Sequence, residues 1–164
     1  MPPAGVAASS FPMFQQLFTS LYEALLGLPE PALLTQAFEN SIFPGVGLAT
    51  LFGIALLGAL FFYLVLNRVL TTPFYQTKHW LVMLLVLAIA AGALGWFQAR
   101  SVVYEVLDAK GIVIPAGSES AYSRYVLGFS FVNALFGALF FVLWSFVVKG
   151  LSPNAKVTPI RWPN

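Results

Sequence analysis

Three stretches of this chain run on without a single Asp, Glu, Lys or Arg. The first lies between Glu39 and Arg68, with its apolar body at residues 46–67. The second fills 80–99, between His79 and Arg100, and the third fills 125–148, between Arg124 and Lys149. A helix rises 1.5 Å per residue, so about 20 apolar residues cover a hydrocarbon core of about 30 Å. The pattern predicts an all-α integral membrane protein with three transmembrane helices. Three crossings place the two chain ends on opposite sides.

Ahead of these runs, residues 11–28 (FPMFQQLFTSLYEALLGL) follow a different rhythm. Phe14, Leu17, Phe18, Leu21, Leu25 and Leu28 recur at helical spacing, while Gln15, Gln16, Thr19, Ser20 and Glu23 fill much of the remaining surface. Pro12 suits an early helical position, Ser10 is a candidate cap, and Pro29 and Pro31 end the segment. This is the signature of an N-terminal amphipathic, interfacial helix rather than a fourth span. Its aromatic stripe either lies in the headgroup region or packs on a neighbouring protein, which makes Phe14, Phe18 and Leu21 candidate partner contacts. A shorter apolar piece, 31–38, leads through Pro44 and Gly45 into the first span.

Beyond Arg100 the residues VVYEVLDAK stay compatible with a helix, and Gly111 offers a stop. The second helix is therefore expected to continue past the membrane to about Lys110, a length of roughly 50 Å. With the start of the third helix it forms a projecting hairpin over 100–124, tipped by 111–117. Ile112 and Ile114 are poorly solvated there unless covered, and are candidate partner contacts. The chain thus divides into an N-terminal segment (1–44), a three-span domain (45–150) and an extended tail (151–164). The tail carries prolines and no amphipathic period. Its Trp162 is a further candidate contact, because an indole usually finds something to touch.

Charge sets the orientation. Arg68 and Lys78 follow the first span, and Lys149, Lys156 and Arg161 follow the third; these two regions share a side. The opposite side holds Arg100, Lys110 and Arg124, and the N-terminal segment carries acids but no Lys or Arg. The positive-inside rule then predicts an outer N-terminus and a C-terminus on the cytoplasmic or matrix side, in a bacterial inner membrane or an organellar inner membrane. Trp80 falls where an interfacial aromatic would, and His79, beside Lys78, reads as a boundary residue.

Lipid tails are as apolar as leucine, so small residues and polar side chains mark where helices meet. Ala49 and Gly53 stand four apart in the first span; Ala88 and Gly92, and Ala91 and Gly95, do so in the second. Ala134 and Ala138, with Gly137 beside them, do so in the third. Asn133 is the clearest polar residue within a span. It predicts either a hydrogen bond to another helix or a place on a conduction path.

Composition narrows the classes of function. The chain is 59% hydrophobic and 9% charged, with a net charge of +2 and mean hydropathy of +0.85. No Lys/Arg cluster suggests nucleic acid as a partner. No cysteine is present and His79 is the sole histidine, so Cys-ligated clusters, bis-His haem ligation and HExxH zinc sites cannot be built from one chain. The first ten residues lack the basic region of a secretory signal. No catalytic set stands out; a lipid-modifying enzyme would have to use Glu105 or Asp108. No cofactor is identified, although bound lipid is compatible with the surface. The expectation is a non-catalytic accessory subunit or anchor. It would contact other membrane-protein subunits, copies of itself, and lipid. The alternative is a homo-oligomeric channel or transporter with Asn133 near the pore.

Overall fold

The computed structural model describes residues 12–29, 34–69, 76–111, 117, 119–153, 155 and 158–159. They form four helices, with no strand among the described residues. Helix α1 is Pro12–Leu26, α2 runs Thr35–Val69, α3 is Thr77–Lys110, and α4 is Glu119–Val148, closing in a tight 3-10 turn at Lys149–Leu151. Helices α2, α3 and α4 are each long and apolar enough to cross a membrane, with mean hydropathies of 2.4, 2.3 and 2.2 in their most apolar windows.

Helix α1 opens on the proline that fixes its first turn, and stops at Gly27, whose φ of 77° is a conformation glycine adopts without cost. The Gly27 N–H still donates to the Glu23 carbonyl at 2.8 Å. Ser10 lies outside the described residues. Helix α3 holds 34 residues and ends where Gly111 turns left-handed at φ 60°.

Helix α2 departs from the expected boundary. Pro44 and Gly45 suggested an entry point, yet the helix begins at Thr35 and passes through both. A proline inside a helix removes one hydrogen bond and crowds the preceding turn. The turn before it, Phe38–Ile42, is wound in the wider i→i+5 form, one recognised way for a helix to absorb such an insult. Phe43, the residue before the proline, stays helical at φ −58°, ψ −53° against its local preference. Its burial explains why: Phe38, Ile42, Phe43 and Val46 are all enclosed. Two further wide stretches follow, Ala49–Leu56 and Phe61–Val69.

Helix α4 occupies the centre and touches all three others, and its longest contact is with α3. Between those two the backbones come close because the residues are small. A Cβ placed on Gly137 would lie 2.5 Å from the Ala91 Cβ, one on Gly92 3.2 Å from the Ala134 Cβ, and one on Gly95 3.3 Å from the Asn133 Cβ. Ala88 and Ala138 are half-buried on the same two helices. On α2 the placement differs from the spacing argument. Ala49 and Gly53 are exposed, and a Cβ on Gly53 would meet nothing within 4 Å. The close approaches of α2 fall instead at Gly47, under the Phe18 ring, and at Gly58, against Leu87. Ala49 lines a small cleft of about 200 Å³ between α2 and α3, with Ser41, Gly45 and Gln98.

The described part of the tail lies against its own chain. Ser152, Ala155 and Thr158 are buried, the Tyr63 hydroxyl donates to the Thr158 carbonyl at 2.8 Å, and Arg68 Nη1 reaches the Leu151 carbonyl at 3.4 Å. Trp162, Ile112 and Ile114 lie outside the described residues.

These contacts predict opposite outcomes at two glycines. Gly137→Leu forces α3 from α4 and is expected to cost about 1–3 kcal/mol, the usual range for overpacking. Gly53→Val, facing open space, is expected to change stability by less than about 0.5 kcal/mol. Thermal unfolding of both variants in mild detergent, followed by size-exclusion chromatography, measures the contrast.

Candidate functional site

Among the described residues, the side chain of Asn133, on the inner face of α4 and fully buried, joins the most helices. Its Oδ1 accepts from the Tyr22 hydroxyl of α1 at 2.7 Å and from the Thr50 hydroxyl of α2 at 3.1 Å. Its Nδ2 donates to the Ala91 carbonyl of α3 at 2.6 Å. One amide thus ties four helices together. Tyr22 and Thr50 are also fully enclosed. One turn away, the Ser130 hydroxyl donates to the Gly92 carbonyl at 2.7 Å and adds a second tie between α4 and α3.

Aromatic rings pack around this knot. Tyr22 stacks on Phe43 at 5.0 Å between centroids and also meets Phe129 at 4.9 Å and Phe136 at 5.1 Å. Phe18 meets Phe140 edge-on at 6.2 Å, and Phe14 meets Phe52 at 6.5 Å. Such pairs contribute about 0.5–1.5 kcal/mol each beyond the area they bury. The aromatic stripe of α1 is therefore used within the chain: Phe18 is buried, and Phe14 and Leu21 are half-buried against the same core. The large apolar residues of α1 that point outward are Met13, Leu17 and Leu25.

Indoles tie the other end of the bundle. Trp80 is buried within the bundle: its ring stacks on Phe141 at 5.5 Å and its Nε1 donates to the Ser145 hydroxyl at 3.0 Å. Trp144 Nε1 donates to the Leu51 carbonyl at 3.0 Å, inside one of the wide stretches of α2. Widened turns loosen the regular backbone ladder, which suits a carbonyl that must also serve a side chain.

The charged groups lie toward the helix ends. Arg100 covers the Trp96 ring at 5.4 Å and donates to the Tyr104 hydroxyl at 3.2 Å, while Glu105 and Asp108 are exposed. Arg124 Nε donates to the Ser120 carbonyl at 3.3 Å. Among the described residues no three His, Cys, Asp or Glu side chains come together as a metal site would require. Glu23 is held above the ordinary carboxylate range, first by partial desolvation and then by a hydrogen bond with Glu39 and that residue's charge. His79, half-buried, faces a cleft between α2 and α3.

Its polarity within an apolar run singled out Asn133 in the sequence, but not Tyr22 or Thr50. Tyr22 follows Phe18 by one helical turn, and Thr50 is a lone hydroxyl in an apolar run. Both carried a faint signal, but neither could be paired with residue 133. Comparison with known protein families, with curated sequences and with solved structures gives no match.

Asn133→Leu strands two buried hydroxyls, and is expected to cost about 1–3 kcal/mol. Tyr22→Phe removes a single bond, for about 1 kcal/mol. In the double variant the Tyr22→Phe change should cost less than it does alone; strictly additive unfolding free energies would break the link between α1 and α4. A second expectation concerns acidity. The folded state raises the Glu23 pKa above its unfolded value, so its contribution is most favourable below the unfolded value and declines as pH rises through the folded one. Unfolding midpoints at pH 4.5 and 7.5 should therefore draw closer together in Glu23→Gln than in wild type.

Proposed function

We propose that this protein is a non-catalytic structural subunit, or anchor, of a larger membrane assembly. Its spans, its N-terminal helix and its C-terminal segment would scaffold partners and lipid. In this reading α2, α3 and α4 cross the bilayer with the N-terminus outside and the C-terminus on the cytoplasmic or matrix side, following the distribution of Lys and Arg.

The enclosure of Asn133 carries the proposal. This amide, midway along α4, is committed to holding four helices of a single chain. An amide so placed has no face to offer to a pore shared between copies, which speaks against the channel reading. What the molecule presents outward is apolar. Leu127, Phe131, Leu135, Leu139, Leu143 and Val147 form a row four residues apart along α4, all exposed. On α1, Met13, Leu17 and Leu25 are exposed as well. Rows of this kind suit lipid tails and neighbouring helices, and they carry no acid, base or nucleophile.

Purification in mild detergent from the native membrane, followed by identification of what accompanies the protein, is the test. Foreign membrane subunits in fixed ratio are expected. A ring of this chain alone that passes ions in liposomes would replace the proposal with a channel.

A further inference from the structure

An apolar cleft of about 320 Å³ opens between α2 and α3, lined by Phe62, Leu66, His79, Val82, Met83 and Val86. Its orientation follows from the order of these residues. Helices α2 and α3 run antiparallel, so His79 and Leu66 stand at one end and Val86 and Phe62 at the other. From residue 79 to residue 86 the cleft follows α3 for about 10 Å, which fits within the roughly 15 Å depth of one leaflet. Val82 and Val86 are 61% and 53% exposed, so the cleft is open sideways.

The charge at its head is one-sided. Arg68, Lys78 and Lys149 stand at this end of the described helices, and no described Asp or Glu does; Glu23, Glu39, Glu105, Asp108 and Glu119 belong to the opposite end. Lys78, exposed, directly precedes the His79 that closes the cleft, at the first turn of α3. The N-terminal turn of a helix also favours an anion.

We propose that this cleft is a binding site for an anionic phospholipid. One acyl chain would lie along Phe62, Met83 and Val86, and the phosphate would rest beside Lys78 and His79. The apolar walls select a hydrocarbon chain; the cations, with no acid to oppose them, select a negative headgroup. The site rests on the placement of α2 and α3 in a bilayer, but not on the presence of partner subunits.

Native mass spectrometry of the full chain in detergent, titrated with dioleoyl phosphatidylglycerol or dioleoyl phosphatidylcholine, tests it without any partner. Phosphatidylglycerol should be retained more strongly by about fivefold, the usual effect of one basic residue near an anionic headgroup. Lys78→Gln should bring the two lipids level. Val86→Trp, which fills the cleft, should lose the retained lipid, whereas Leu139→Trp on the exposed row of α4 should keep it. If V86W does not preserve the wild-type helical content and elution volume, V82W takes its place. Equal retention of both lipids by wild type, an unchanged preference in K78Q, or a cleft-filling variant that behaves like L139W would each overturn the proposal. Because partners are absent from the titration, these outcomes are separate from those of the co-purification experiment.

Discussion

A polar amide inside an apolar bundle has few ways to exist. Water is not at hand, and an unsatisfied donor or acceptor there is costly, so the side chain must find its partners within the protein. Asn133 finds one on each of the other three helices. Its oxygen has two lone-pair directions and takes two hydroxyls, while its nitrogen gives one proton to a backbone carbonyl. The geometry of the rest follows. Tyr22 must reach inward, which sets α1 against α2 and α4. Gly95 must be small, because the Asn133 side chain occupies the space a Cβ would need. Ala91 must present its carbonyl, which fixes the rotation of α3. Directional bonds of this kind set a register that leucine-on-leucine contacts alone leave loose.

Around that fixed point the fold relies on shape. Gly137 against Ala91, Gly58 against Leu87 and Gly47 beneath Phe18 are places where one partner is nearly absent so that another can come close. Aromatic rings then fill the larger gaps, with Tyr22 set among Phe43, Phe129 and Phe136. The irregular winding of α2 belongs to the same solution. Its wide turns let Pro44 sit in a continuous helix and let the Leu51 carbonyl serve Trp144.

Much of this could be read along the chain, and the remainder has identifiable causes. The three long helices are visible because charged residues bracket each apolar run, and Gly111 is a plain stop. The start of α2 was hidden because Pro44 and Gly45 obey local rules for a boundary, while the burial of Phe38 and Phe43 overrides them. Ala49 and Gly53 show the limit of a fixed i, i+4 ruler. The two do share a face, but spacing does not say whether that face turns toward the bundle or away from it. The stripe Phe14–Phe18–Leu21 was visible as a stripe, but amphipathicity alone does not say whether the apolar face meets lipid, a partner, or the same chain. Asn133 stood out by its chemistry. Its partners did not, because no pattern within one sequence relates positions 22 and 50 to 133.

The long separation between Tyr22 and Asn133 has a consequence for biosynthesis. The ribosome makes α1 first, yet the amide that receives its hydroxyl is added 111 residues later, in the last helix. Until then only the α2 side of its seat exists, with Phe18 over Gly47 and Tyr22 on Phe43, and the α4 side, Phe129, Phe136 and Phe140, is still to come. Closing so long a loop comes late and is slow compared with forming neighbouring contacts. The seat of α1 is therefore begun by its neighbour α2 and completed only when α4 is in place.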